Sequence, residues 1–259
     1  MARTGQPAGR RVAAVQRALA VLDELAGTQA DLGTNEIARR TLINASSVSR
    51  LLATLTDAGL VEHSSETGRY RLGLRLLELG NAVLERLDIR PIARRQLQAL
   101  VDATGETATL SVPGEAVSIT IDVVQSTSTV QSVARLGRPG VGHATATGKI
   151  VLAFAGVPLP AGRLTRYTER TIVDRVALER QLALIRARGW AEAIGERELD
   201  LNGIAAPVLD RRGGLVSVLG VQGPAPRFDR AAMRAALGPV LASAAAISTG
   251  LGVHPDAAA

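Results

Sequence analysis

The sequence predicts an α+β protein of two domains. A small N-terminal domain of three helices and a hairpin precedes a larger one built on a mostly antiparallel sheet. Three observations carry this. The length of 259 residues suits a small domain plus a medium one. Apolar residues recur at helical spacing early in the chain, and two short strand-like runs follow them. Further on, strand-like and helical segments alternate, with turn formers between them.

Val12, Val15, Leu19 and Leu22 begin a helix that Gly27 ends. Thr34 is expected to cap a second, short helix, Asn35 to Thr41, with Ile37 and Ala38 inward. Leu42 and Ile43 make a turn. Asn44 then caps a third helix, Ala45 to Ala58, because its side-chain oxygen can accept from the N–H of Ser46 or Ser47. Val48, Leu51, Leu52 and Leu55 form its apolar stripe, and Gly59 sits where a left-handed backbone is wanted. Leu60–His63 and Arg69–Leu72 read as strands around the turn Ser64-Ser65-Glu66-Thr67-Gly68. Three helices and a small hairpin make a winged helix-turn-helix.

From Leu74 to Leu87 the pattern is helical again, and Pro91 opens a further helix. Leu74, Leu77, Val83, Leu84 and Leu87 exceed what one packed side needs, which points to a dimer contact. Thr107–Val112 and Ala116–Val124 flank Pro113-Gly114-Glu115 as a hairpin, and Thr127–Ala134 is expected as a third strand. A glycine-rich loop, Gly137 to Gly142, leads into a helix from about Thr145 to Phe154. Asp174–Arg188 is a helix closed by Gly189, Trp190–Ile194, Ile204–Asp210 and Leu215–Val221 are strands, and Asp229–Leu251 is the last helix. The expected domains are 12–74, a linker helix at 75–90, and 91–253.

Hydrophobic residues make up 46% of the chain and aromatics 2%, so the core is aliphatic. There is no cysteine, which excludes disulfides, thiol catalysis and cysteine-held zinc or iron–sulfur sites. An intracellular, cytoplasmic protein is expected. No apolar run reaches a membrane-spanning length, and the N-terminus lacks the long apolar stretch of a secretory signal. The net charge is +6, and Lys149 is the only lysine. Arg3, Arg10, Arg11 and Arg17 precede the first acid, Asp23, and a positive arm suits a phosphate backbone.

The second helix of a helix-turn-helix enters the major groove and contacts bases from its N-terminal end. Here that end carries Ser46, Ser47, Ser49 and Arg50, with no acid between Ala38 and Thr56. Short hydroxyls and one Arg can bond bases or phosphates. In the hairpin, Arg69 and Tyr70 join the candidate contacts, and Arg71 is as readily an ordinary solvated charge. The partner these residues imply is double-stranded operator DNA.

The chain resembles the IclR-type transcriptional regulators from about Val12 to Gly252. The carriers are RALAVLDELAG, NEIARR, SSVSRLLATLTDAGLVEH and TGRYRLGLRLLELG in the first part. GHATATGKIVLAF, TERTIVD, IRARGW, IAAPVLD, GVQGP and ISTGLG follow in the second. The resemblance implies a GAF-like effector domain after the linker helix, and homodimers, often paired into tetramers, on near-palindromic operators. It also implies a small organic acid effector held by Thr129, Ser132, Gly140, Ala146, Thr147, Ala193, Leu201, Gly203, Gly220 and Gln222. The ligand's carboxylate is expected on the N–H groups of Ala146 and Thr147, where a helix dipole favours negative charge. Lys149 is expected to pack its stem and satisfy carbonyls or a carboxylate elsewhere.

Two departures from the family pattern stand out. Around Glu196 the family usually places Gly where Asp200 stands and Cys where Gly203 stands. Some members that bind small oxoacids also carry a carboxylate at the position of Ala193 and serines at Gly220 and Gln222. A larger or less polar ligand therefore fits better, its apolar body in the space left by Gly203 and Gly220.

Enzyme readings are weaker. Between Gly142 and Gly148 lie five residues, not the four of a P-loop, and Ile150 rather than a hydroxyl follows the Lys. No Gly-x-Ser-x-Gly elbow occurs. His63, His143 and His254 are far apart, and Asp122, Glu196, Glu198 and Asp200 read as surface charge. No catalytic residue, metal or cofactor is expected. The alternative to a ligand-controlled regulator is an architectural DNA-binding protein whose second domain only oligomerises. A closed, packed second domain would favour it.

Overall fold

The computed structural model describes residues 12–85, 89–132, 134–160 and 162–251. The arginine-bearing arm at 1–11 lies outside the described residues. The chain divides into two units, Met1–Leu87 and Asp88–Ala259.

The first unit contains α1 (Ala13–Ala26), α2 (Thr34–Thr41), α3 (Ala45–Asp57), β1 (Val61–Ser64), β2 (Arg69–Leu72) and α4 (Arg75–Glu85). Val21, Leu25, Ile37, Val48, Leu52 and Leu55 converge between the first three helices, closed by Leu32 and Val61. Each such buried side chain contributes roughly 1.5–3 kcal/mol. Asn44 caps α3 as expected, accepting from the Ser47 N–H at 2.8 Å. Thr34 does not cap α2. Gly33 stands at the cap position, its carbonyl accepting from the N–H groups of Glu36 and Ile37, and Thr34 is the first helical residue.

β1 and β2 pair antiparallel from Val61↔Leu72 to Ser64↔Arg69. Leu32 adds a one-residue rung through two backbone bonds with Tyr70. Gly59 and Gly68 take the left-handed conformation that the two turns demand. So does Leu42, between α2 and α3, at φ 58°. A leucine is a costly choice there, and this one is 93% exposed. Leu74 and Leu77 are also exposed, as are Val12, Val15 and Leu19, which share one face of α1. The side chains of Val83 and Leu84, and all of Leu87, lie outside the described residues.

The second unit contains α5 (Ile89–Thr104), β3 (Thr107–Pro113), β4 (Val117–Val124), β5 (Pro139–Val141), α6 (Ala146–Phe154), α7 (Arg175–Arg188), β6 (Ala191–Ile194), β7 (Leu201–Leu209), β8 (Leu215–Pro224) and α8 (Arg230–Gly250). Pro91 lies in the first turn of α5, where its missing N–H costs nothing. The six strands form one sheet in the order β5-β4-β3-β8-β7-β6, antiparallel at every step. α6 and α7 pack with Ile150, Val151, Leu178, Leu182 and Ile185 in one aliphatic core. α5 and α8 pack against each other and against the sheet, α5 on β3 and β4 and α8 on β7 and β8.

Two expectations fail in this unit. No strand forms at Thr127–Ala134 among its described residues, and the edge strand is β5, inside the glycine-rich run. The β-branched segment is tied down by side chains instead. The Thr107 hydroxyl donates to the Ser132 carbonyl at 3.0 Å and accepts from the Ser126 N–H at 3.2 Å. Ser126 in turn donates its hydroxyl to the Gly105 carbonyl. These side-chain bonds to the backbone stand in place of a ladder. Second, α8 is long and apolar enough, by length and composition, to cross a membrane. Its apolarity is mostly alanine, and Met233, Ala236, Val240, Ala244 and Ile247 bury one face against α5 and β7.

Candidate nucleic-acid interface and ligand cavity

The exposed start of α3 is set by its buried stripe. Val48, Leu52 and Leu55 face the core, so Ser46, Ser49 and Arg50 face out and Ser47 is half-buried. The Ser46 hydroxyl bonds Asn44 Oδ1 at 2.9 Å, so Ser46 and Ser47 both serve the cap. Arg50 has no ion-pair partner among the described residues. Its guanidinium is available to an anion.

The hairpin candidates are differently placed. Arg69 donates to the Asp31 carbonyl at 2.8 Å and lies 3.5 Å from Glu36. It staples the hairpin to the loop before α2. Tyr70 is half-buried, packs on the core of the unit, and lies 4.6 Å from the His63 ring. Its bonds to Leu32 make it structural. Arg71 pairs with Glu62 across the hairpin at 2.9 Å. The structure thus groups Ser46, Ser47, Ser49 and Arg50 and gives Arg69 and Tyr70 intramolecular work. Arg39, exposed in the last turn of α2 and without an ion pair among the described residues, was missed by sequence reasoning. Its position in the turn preceding α3 is the signal that could have found it.

In the second unit, α6 begins at the mouth of a cavity. Thr145 caps it, accepting from the Gly148 N–H at 3.1 Å. The N–H groups of Ala146 and Thr147 meet no acceptor among the described residues. A cavity of about 500 Å³ opens there, with Val130, Pro139, Leu201, Pro224 and Pro226 as apolar walls, Ser132, Gly140, Thr147 and Gln222 at its neutral polar side, and the charged residues Arg135, Arg138, Arg197, Glu198 and Asp200 also lining it. Against it lies a recess of about 40 Å³ lined by Ala146, Ala193, Gly203 and Gly220. Thr145, Thr147, Leu201, Gln222 and Arg197 line both.

Of the expected effector residues, Thr129 alone lines neither space. It is exposed, because its segment is not a strand and does not aim alternate side chains at the sheet. The apolar room expected at Gly220 is also absent, and that at Gly203 is confined to the small recess. A Cβ on Gly220 would stand 2.8 Å from Thr147 Cγ2 and 3.0 Å from Thr109 Oγ1, so packing already fills that side. At Gly203 a Cβ would meet its nearest neighbour at 3.4 Å, an ordinary contact. The recess has room for a carboxylate-sized group or a few waters. An apolar body must lie in the larger cavity. The polar wall is tied to itself: Ser118 donates to the Thr147 hydroxyl at 2.8 Å, and Gln222 to the Ser132 hydroxyl at 2.7 Å.

Lys149 is fully buried. Its ammonium donates to Glu196 Oε1 at 2.6 Å and to the Glu192 carbonyl at 3.0 Å. This is the packing-and-pairing role expected of it. Burial pulls the Lys149 ammonium below the usual lysine range, against the attraction of Glu196. Burial pushes the Glu196 carboxyl above the usual carboxylate range, against the attraction of Lys149. The pair ties α6 to the turn after β6, where Arg197 stands. Glu196, read from sequence as surface charge, is 7% exposed. It lies two residues past the four-residue strand β6 and on the parity of that strand's less buried residues, Glu192 and Ile194, so no local pattern marks it as interior. His143 is buried as well, its Nε2 at 2.8 Å from the Thr165 carbonyl.

Residues 14–65 match the IclR helix-turn-helix domain, and residues 81–249 match the C-terminal domain of the bacterial transcriptional regulator IclR. The chain is 32% identical to the HTH-type transcriptional regulator BhcR of Paracoccus denitrificans, over 98% of this chain and 96% of the relative. Among solved structures, Thermotoga maritima IclR superposes with a TM-score of 0.69 at 29% identity, covering 92% of this chain and 98% of that one. An IclR homologue from Microbacterium hydrocarbonoxydans, complexed with 4-hydroxybenzoate, shares the fold with a TM-score of 0.77 at 24% identity, covering 92% and 99%. This chain belongs to the IclR family of bacterial transcriptional regulators.

Proposed function

We propose that α3 reads operator DNA through Arg50 and the neighbouring hydroxyls, and that the cavity at the start of α6 takes a carboxylate-bearing organic effector that sets DNA affinity. The cavity is the observation that carries this reading. A volume of about 500 Å³ beside unpaired helix N–H groups is within the range of small-molecule sites. An architectural role alone would favour a closed, packed core in its place. The fold's occurrence in complex with 4-hydroxybenzoate, in the Microbacterium homologue, supports the class of ligand.

The regulator acts as a homodimer, paired further into tetramers. The exposed faces Val12, Val15 and Leu19, and Leu74 and Leu77, support association with a second copy. The effector works only through a difference in affinity between two conformations, so binding of effector and operator is reciprocally coupled. The test is fluorescence anisotropy on duplexes from the region upstream of the chain's own gene, across a salt series and with a panel of organic acids. Specific, salt-steep binding that one acid shifts is expected. Equal binding to random duplex would refute the DNA half, and indifference to every acid the effector half.

A further inference from the structure

Arg197 is in neither the family-implied effector set nor the interior pair beneath it, yet it lines both spaces beside α6. Three features fix it there. Its guanidinium lies 3.9 Å over the Tyr167 ring, a stacking that holds the planar group in one orientation. Tyr167 itself lies 5.9 Å from the buried His143 ring. Its backbone is anchored by the preceding residue. The Glu196 carboxylate is gripped by Lys149, and the Glu196 carbonyl accepts from Thr171 Oγ1 at 2.7 Å.

Among the described residues Arg197 has no carboxylate partner. Its neighbour Arg138 does, pairing with Glu198 at 3.6 Å. A guanidinium that is oriented, unpaired and adjacent to free helix N–H groups presents the planar fork that matches a carboxylate.

We propose that Arg197 is the specificity-determining counter-ion of the effector carboxylate, closing the recess opposite the N–H groups of Ala146 and Thr147. The ligand then places its acid in the recess and its apolar body against Val130, Leu201 and Pro224 in the larger cavity. The charge comes from the turn after β6 rather than from the strand positions where family members place polar contacts. Tyr167 is a positioning residue. This rests on the effector reading above.

The experiment is calorimetry with matched pairs of acid and primary amide, 4-hydroxybenzoate with 4-hydroxybenzamide and the same pairing across an aliphatic and aromatic panel. The protein is the full chain, as wild type, Arg197→Met and Tyr167→Leu. Wild type is expected to prefer at least one acid over its amide by about ten- to hundredfold. Arg197→Met is expected to abolish that preference, with unchanged melting temperature and unchanged operator affinity without ligand. Tyr167→Leu is expected to reduce it only in part. An acid preference that survives in Arg197→Met overturns the assignment and leaves the effector reading standing. Absence of binding by every acid and amide to wild type overturns both. Should Arg197→Met melt early, Arg197→Lys separates the roles. A kept charge on a point ammonium retains part of the acid preference, whereas an unchanged preference in it and a folded Arg197→Gln counts against the proposal.

Discussion

Two helix starts, α3 in the first unit and α6 in the second, are capped alike and exposed differently. Each has a side-chain oxygen at its cap accepting from the N–H three residues on, Asn44 to Ser47 at 2.8 Å and Thr145 to Gly148 at 3.1 Å. Each leaves the preceding N–H groups for an anion. The surroundings then diverge. The start of α3 is exposed and carries Ser46, Ser49 and Arg50, whereas in α6 Ala146 and Gly148 to Ala153 are buried. An exposed start meets a phosphate in water, so its selectivity depends on charge, salt and base contacts. At the largely buried start of α6 a lower effective dielectric strengthens each electrostatic contact, so in the proposed reading shape and a fixed counter-ion decide what binds. The local device is the same, and in the proposed reading burial assigns it to DNA or to a small molecule.

The largest test of this difference is at the buried end. Glu196→Ala, which leaves the Lys149 ammonium buried without its partner, is expected to lower stability by about 3–5 kcal/mol in chemical denaturation. The double variant Lys149→Met/Glu196→Leu should recover most of that loss, because it removes both charges. No recovery would mean that the pair is needed for its geometry. Lys149→Met alone adds a pH signature. Burial already raises the Glu196 carboxyl above its ordinary 4.5, and losing the lysine raises it further. A carboxyl whose folded value is raised stabilises the fold below its unfolded value and loses that contribution as pH rises through the folded one. The deficit of Lys149→Met should therefore shrink on going from about pH 8 to about pH 5. An equal deficit at both would show that water reaches the carboxylate.

At the exposed end the expected effects are smaller and appear in binding. Arg50→Ala should weaken operator binding by about 1–3 kcal/mol. Arg69→Ala should act differently, costing up to about 1 kcal/mol of stability in the first unit because Asp31 and Glu36 lose an exposed partner. The reverse pattern, with Arg69 dominant in binding, would move the DNA surface to the hairpin.

The wall of the recess offers a finer contrast. Gly220→Ala forces a methyl against Thr147 and Thr109 and is expected to cost about 1–3 kcal/mol. Gly203→Ala, with ordinary contacts, should leave the melting temperature within error while narrowing the recess. Equal melting losses for the two would contradict the packing described for Gly220. A small change of opposite sign is expected at Leu42. Leu42→Gly removes a left-handed leucine and should stabilise the first unit by up to about 1 kcal/mol, after the entropy glycine costs. A loss of operator affinity in that variant would mean that the exposed leucine touches DNA.

By itself the sequence determined what depends on near neighbours. The capped α3 and its stripe, the hairpin with Gly68 at its turn, the Asp174 cap and Gly189 stop of α7, and the antiparallel meander of β7 and β8 all follow from spacing and turn chemistry within a few residues. The resemblance to a family added the region of the cavity, which no local pattern marks. Tertiary structure alone decided the rest. Thr127–Ala134 has strand residues, but hydroxyl bonds to β3 and to the Gly105 carbonyl, from over twenty residues away in places, outcompete the ladder. Gly203 and Gly220 are the same residue in paired strands, yet only one has room, because Thr147 of α6 packs over Gly220 and not over Gly203. Glu196 and Arg197 are adjacent, and one turns inward to Lys149 while the other borders the cavity. Burial and charge partners are set by segments far apart in sequence, and they decide which polar residue holds the fold and which is left for a ligand.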